Sequence, residues 1–251
     1  MKVESLTYES VRVRAVLVPL KRKVVSRVGF FDRWPLILID LQTKEGIVGR
    51  SYLEPYLHAS PRYIMPAILD LVEARKGQPL APMADFQAGR KSLNLIGYEG
   101  VAMIANAGID MAGWDALAKA AEVPLAVLLG GSVGSVPAYN SNGLWLTDPD
   151  SLHDEAAELA AEGGFDAFKL RLGRDQLEDD LRAISQVRAA VGSNAKLMVD
   201  FNQGLTLGDA IRRCHALDEL GLYWFEEPTT YNNLEGYAQL ARRSEEHTSE
   251  L

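Results

Sequence analysis

The first fifty residues favour extended chain, and the rhythm of apolar and polar positions then changes. Strands are expected over about Glu4–Leu20, Pro35–Asp40 and Ile47–Glu54, with Lys44-Glu45-Gly46 as the hairpin turn between the last two. Helical spacing follows. One helix is expected from Pro61 to about Lys76, with Ser60 as N-cap and Pro61 in the first turn. An Ala-rich helix from Gly100 to Ala121 is expected to present Ile104, Ile109, Met111 and Trp114 as its apolar face. Strands first and helices after is the pattern of an α+β domain.

Beyond residue 135 the pattern becomes strict alternation. Strands are expected at Val136–Ser141, Phe165–Leu172, Lys196–Phe201 and Leu222–Glu226. Helices are expected at Pro149–Glu162, Gln176–Val191 and Leu207–Leu220, with another starting at Asn232. Such alternation implies right-handed crossovers and a parallel sheet. A repeat of about thirty residues suits a βα-barrel unit as well as an open doubly wound sheet. The segment Leu129-Gly130-Gly131-Ser132-Val133-Gly134 follows a helix and precedes a strand. That is the reverse of a dinucleotide loop, which follows a strand and opens a helix, so it reads as a linker.

Composition narrows the class. A chain of 251 residues, 47% hydrophobic and 24% charged with one cysteine, is neither disordered nor a disulfide scaffold. The formal charge of -8 and the lack of a basic stretch argue against nucleic acid and anionic membranes as partners. No apolar run reaches the roughly 18 residues of a membrane span. Met1–Ser10 mixes Lys, Glu, Ser and Thr, unlike a signal peptide, so the expected compartment is the cytoplasm. Cys214, alone within a helical pattern, reads as a core residue.

Candidate chemistry lies at the strand ends. Ser141 ends the first strand of the alternating region; Lys169 and Arg171 lie on the second, Asp200 and Asn202 end the third, and Glu226 and Glu227 the fourth. Residues two apart on a strand share a face. Lys169 to Asp200 and Asp200 to Glu226 are each about one βα unit. The polar groups therefore gather at the carboxyl ends of successive strands, where barrel active sites are built. Two carboxylates on adjacent strands can hold a hard divalent cation such as Mg²⁺. A neighbouring cationic pair can hold an anionic substrate or take a proton from it.

These motifs, Lys169-x-Arg171, Val199-Asp200-Phe201-Asn202-Gln203 and Phe225-Glu226-Glu227-Pro228, resemble the enolase superfamily, mandelate racemase subgroup. Leu38-Ile39-Asp40-Leu41 with Gly49-Arg50-Ser51-Tyr52-Leu53, and the run Ala107–Leu117, are similar to that subgroup's capping domain. The resemblance implies an α/β protein: an N-terminal α+β capping domain over residues 1–134, then the first half of a modified (β/α) TIM-type barrel over 135–242. It implies Mg²⁺ as cofactor, a small carboxylate substrate, and removal of the α-proton to give an enediolate. By motif position, Asp200 and Glu226 resemble metal ligands, and Lys169 the lysine that touches the substrate carboxylate. Ser141 and Asn202 resemble substrate contacts. Lys23–Phe31 and Glu54–His58 correspond to the lid, where Phe30 and Tyr56 are expected to line the substrate site. A homo-oligomer is implied for the full-length protein.

The chain departs from the family pattern in two ways. Mandelate racemase-like enzymes have a second lysine as a catalytic base where this chain has Arg171, and arginine stays protonated. Two reactions stay open: racemisation of a 2-hydroxy acid, and β-elimination of water from an acid sugar with a base on the opposite face. A third possibility is a non-catalytic half-barrel. The late histidine and the third metal carboxylate of the family are also not found. His58, His153, His215 and His247 all lie away from expected strand ends. The last nine residues, Arg243 to Leu251, read like the translation of a sequencing adapter and are expected to be non-native. On that reading the barrel is incomplete and the isolated chain is expected to have little activity, since a full barrel takes about 250 residues.

Overall fold

The structure, a computed structural model, describes residues 5–242; the expected foreign tail lies outside the described residues. The chain forms two compact units. One holds the residues up to Pro19 with Arg33–Ser135, and the other holds Leu20–Asp32 with the residues from Val136 onward. No helix among the described residues is long and apolar enough to cross a membrane.

Strands β1 (Tyr8–Ser26), β2 (Gly29–Thr43) and β3 (Val48–Leu53) follow in that order across one sheet; the hairpin end Leu20–Asp32 counts with the second unit and the rest with the first. β2 and β3 are antiparallel, with Ile37 opposite Leu53 and Gln42 opposite Val48. The turn at Lys44–Gly46 forms as the sequence indicates, with Gly46 at φ 83°. Lys23–Phe31, expected as a loop, is instead the end of a long hairpin that turns only at Arg27 and Val28. Much of β1 is exposed on both faces. The stretch 14–19 therefore lacks the alternation by which a half-buried strand is recognised, while 20–24 near the tip keeps it.

Four helices complete the first unit: α1 (Pro61–Glu73), α2 (Pro82–Leu93), α3 (Val101–Ala120) and the short α4 (Leu125–Leu128). Its core joins Ile37, Ile39 and Leu41 of β2 to Ile64 and Ile68 of α1 and Ile109 of α3. Pro61 opens α1 as expected, but Ser60 is itself helical and its hydroxyl caps nothing; only its carbonyl begins the ladder. The buried face of α3 differs from expectation in part: Ile109 is buried and Ile104 packs against the core as expected. Met111 is exposed, and the face is made chiefly of Ala105, Gly108, Ala112 and Ala116. Small residues let the sheet come close. A Cβ at Gly49 would lie 2.0 Å from the Ala112 carbonyl oxygen, so glycine is required there.

The second unit contains a parallel sheet of β4 (Ala167–Arg171), β5 (Lys196–Asp200) and β6 (Trp224–Glu226). Its helices are α5 (Leu152–Ala161), α6 (Leu177–Val191), α7 (Leu207–Leu217) and α8 (Leu234–Ala241). Period-two alternation sorts the strand side chains. Phe168, Leu170, Leu197, Val199 and Phe225 join Leu159, Ile184, Val187, Leu217 and Leu240 in one core. Lys169, Arg171, Asp200 and Glu226 therefore point from the opposite face. The strand expected at Val136–Ser141 is reduced to a single parallel bridge between Asn140 and Phe168. Pro137 has no N–H to give to a ladder, and Val136 stays exposed.

Cys214 packs in this core, and burial pushes its thiol up to about 12. Iodoacetamide at about pH 8 is expected to alkylate it at least a hundredfold more slowly than an exposed cysteine, because the thiolate is the nucleophile. Mass spectrometry of the native and urea-unfolded chain checks this; equal rates in the two would contradict it.

Candidate active site

Register sets the geometry. Arg171 of β4 pairs with Asp200 of β5, which pairs with Glu226 of β6, so the three stand in one row across the sheet. Lys169 pairs with Met198, one pleat below, and its side chain reaches up to the row. Its Nζ is 2.7 Å from Glu226 Oε1 and 3.3 Å from Asp200 Oδ2. Lys169, Arg171 and Asp200 are all buried.

The carboxylates are held from their own strand ends. Asp200 Oδ1 accepts the Asn202 backbone N–H at 2.8 Å, and Oδ2 accepts Asn202 Nδ2 at 2.9 Å. This closed turn requires Asn202 at φ 46°, a conformation asparagine tolerates better than most residues. Glu226 Oε2 accepts Trp224 Nε1 at 3.2 Å, from two residues earlier on the same face. Glu227 is turned elsewhere, and its Oε1 accepts from Gln203 Nε2 at 2.8 Å.

Arg171 is clamped. Its guanidinium donates to Ser141 Oγ at 2.9 Å, and to the carbonyls of Ser141, Gly143 and Lys169 at 3.3, 3.4 and 3.2 Å. It also stacks 4.1 Å from the centre of the Trp145 ring. Its backbone N–H bonds Leu144 O at 2.9 Å. These bonds hold the 141–145 segment to β4 where a regular strand ladder is missing. Burial draws the guanidinium below its ordinary pKa, opposed by the charges of Asp200 and Glu226.

Lys169, Arg171, Ser141, Asp200, Asn202 and Glu226 are thus brought into one cluster. Phe30, one of the two expected lid aromatics, takes no part in that network. Phe30 is exposed near the hairpin tip, with Lys23 Nζ 5.9 Å from its ring centre. Tyr56 belongs to the first unit, at φ 58° and edge-on to Trp34. Trp145 and Trp224 also belong to the cluster. Period two places Trp224 on the face of Glu226, a signal present in the sequence, whereas no sequence signal marks Trp145.

The pair Asp200 and Glu226 suits a small hard cation. Two carboxylates on in-register strands already converge on one cationic point, the Lys169 ammonium. Asn202 Oδ1 is a further buried oxygen with no hydrogen-bond donor. Among the described residues no group of three or more His, Cys, Asp or Glu converges for a metal.

Comparison with known proteins matches both units. Residues 9–130 match the mandelate racemase / muconate lactonizing enzyme N-terminal domain, and residues 151–248 the enolase C-terminal domain-like family. An enolase from the alpha proteobacterium BAL199, crystallised with magnesium, is 49% identical with a TM-score of 0.94, over 96% of this chain and 68% of that one. The chain belongs to the enolase superfamily, among its mandelate racemase-like members. Its fold class is accordingly the superfamily's N-terminal α+β domain followed by part of a (β/α) barrel. A Bradyrhizobium enolase complexed with magnesium and mandelic acid is 35% identical with a TM-score of 0.91, over 97% of this chain and 67% of that one. L-talarate/galactarate dehydratase of Salmonella typhimurium is 38% identical over 58% of this chain and 37% of its own length. Other relatives are cycloisomerases, epimerases and racemases. The chain spans between about a quarter and two thirds of the length of the curated relatives it matches.

Proposed function

We propose that these residues form one side of a Mg²⁺-dependent site that removes the proton α to the carboxylate of a small hydroxy acid. The observation that carries this reading is the convergence of Lys169, Asp200 and Glu226 from three in-register strands on one point opposite the core. Asp200 and Glu226 would hold the metal, which supplies Lewis-acid stabilisation of the charge that develops on the substrate's carboxylate oxygens. Lys169 would meet the substrate carboxylate, with Ser141 and Asn202 bordering it. A base outside the described residues takes the proton.

The clamp on Arg171 favours elimination of water over racemisation. A guanidinium bound to four oxygens and stacked on Trp145 does not accept a proton. Racemisation by two bases therefore lacks its base on this face. Elimination needs one base to take the α-proton; its conjugate acid can return that proton to the β-hydroxyl, which leaves as water, and the enol then becomes a 2-keto acid. The second reading, racemisation of a 2-hydroxy acid, is supported by the mandelic acid held by the 35% identical Bradyrhizobium enolase.

Proton NMR in D₂O with MgCl₂ and a panel of hydroxy acids tests the reading, with the chain carried on to the length of its relatives. A 2-keto-3-deoxy acid carrying deuterium at C3 is the expected product. Exchange at C2 without loss of water would overturn elimination in favour of racemisation. The 251-residue chain alone is expected to give less than about a hundredth of the extended chain's rate, because general acid–base steps contribute roughly 10²–10⁴.

A further inference from the structure

Every carboxylate oxygen of the Asp200–Glu226 pair already has a donor or cationic partner. Asp200 Oδ1 takes the Asn202 N–H, Asp200 Oδ2 takes Asn202 Nδ2 and faces Lys169 Nζ and, at 3.9 Å, Arg171 Nε, Glu226 Oε1 takes Lys169 Nζ, and Glu226 Oε2 takes Trp224 Nε1. The donors differ in how easily they leave. The Asn202 backbone is fixed by its turn, and the Trp224 indole is part of a rigid ring beside its own acceptor. Of the two cations, the Arg171 guanidinium is held by four oxygens and the Trp145 ring, whereas Lys169 ends a flexible four-carbon stem. It is also the donor that bridges both carboxylates. The Tyr139 ring lies 5.8 Å from Nζ, an aromatic face that can receive an ammonium leaving the pair.

We propose that Lys169 is an exchangeable counter-ion: it gives up Glu226 Oε1 and Asp200 Oδ2 when Mg²⁺ binds the pair, and only then is free to meet a substrate carboxylate. The proposal rests on the reading of Asp200 and Glu226 as metal ligands and adds an order to it, cation first and substrate second. One ammonium and one divalent cation cannot both neutralise the same two oxygens at contact distance without mutual repulsion. Affinity for Mg²⁺ is therefore set partly by the cost of moving Lys169.

Two measurements on the 251-residue chain test the exchange. In the first, the native chain is acetylated with an N-hydroxysuccinimide ester over a MgCl₂ series, with ionic strength held constant by NaCl, and each lysine is quantified by mass spectrometry. Labelling of Lys169 is expected to rise at least about fivefold, saturating with Mg²⁺, because a side chain enclosed between two carboxylates is shielded from the ester and one swung out on its flexible stem is not. Lys119, paired with Asp115, serves as the unchanged reference. In the second, calorimetry compares MgCl₂ binding by the chain and by Lys169→Met, which keeps the stem and removes the charge. The variant is expected to bind at least about tenfold more tightly. Binding of Mg²⁺ with no rise in Lys169 labelling and no gain in the variant would overturn the exchange and leave the metal reading standing. Binding by neither protein would overturn both. If the variant does not fold, the labelling series decides alone.

Discussion

Replacing Asp180 with alanine is expected to destabilise the second unit by about 3–5 kcal/mol, the usual consequence of removing one partner from a buried ion pair. Asp180 lies in the first turn of α6 and is fully buried. Its carboxylate accepts the Gly173 N–H at 3.0 and 3.2 Å, the Arg174 N–H at 3.1 Å and Arg174 Nη1 at 3.3 Å, and pairs with Arg213 of α7. Arg213 also donates to the carbonyls of Arg174 and Asp175. One carboxylate therefore ties the end of β4 to α6 and α7, next to the row that carries Arg171. Its loss would leave two enclosed guanidinium groups without their anion. Domains of this size are stable by only about 5–15 kcal/mol, so the change is large. Urea unfolding followed by circular dichroism measures it. Arg182→Ala, which breaks half-exposed pairs with Asp150 and Asp179, is the reference and is expected to cost less than about 1 kcal/mol. A cost for Asp180→Ala no greater than that reference would refute the role assigned to it.

The parts of the fold legible in the sequence were those where one physical rule dominates. β4, β5, α6 and α7 alternate apolar faces against a single core, and their expected positions agree with the observed ones to within a few residues. The same alternation exposed Lys169, Arg171, Asp200 and Glu226, because polar residues on the face opposite a core are conspicuous. Tertiary contacts decided the rest. The 136–141 segment looks like a strand, yet Pro137 breaks its ladder and a side chain, Arg171, supplies the bonds to 141–143 instead. The hairpin tip was expected as a loop because the family resemblance places a lid there, yet Leu20, Arg22 and Val24 are half-buried and Lys21 and Lys23 exposed, the alternation of a strand. On α3 the spacing places Ile109 and Ile104 at the core as observed, but Met111 is exposed and close approach of β3 selects alanine and glycine for the rest of the face. Asp180 was invisible: an acidic residue in a first helical turn is ordinary, and only the fold brings Arg213 to it across 33 positions.

The second large effect concerns the metal. Asp200→Asn or Glu226→Gln is expected to weaken Mg²⁺ binding by more than about a hundredfold, since a hard cation needs anionic oxygen and each change removes one of two carboxylates. Glu227→Gln is the matched control. It alters the same charge one residue away, in a side chain held by Gln203 rather than aimed at the row. It is expected to change affinity by less than about threefold, the scale of a screened neighbouring charge.

Calorimetric titration of MgCl₂ into the chain and these three variants tests the central claim most directly. The account predicts one saturable site in the parent and in Glu227→Gln, and none in Asp200→Asn or Glu226→Gln. Equal binding by all four proteins, or loss only in Glu227→Gln, would contradict it.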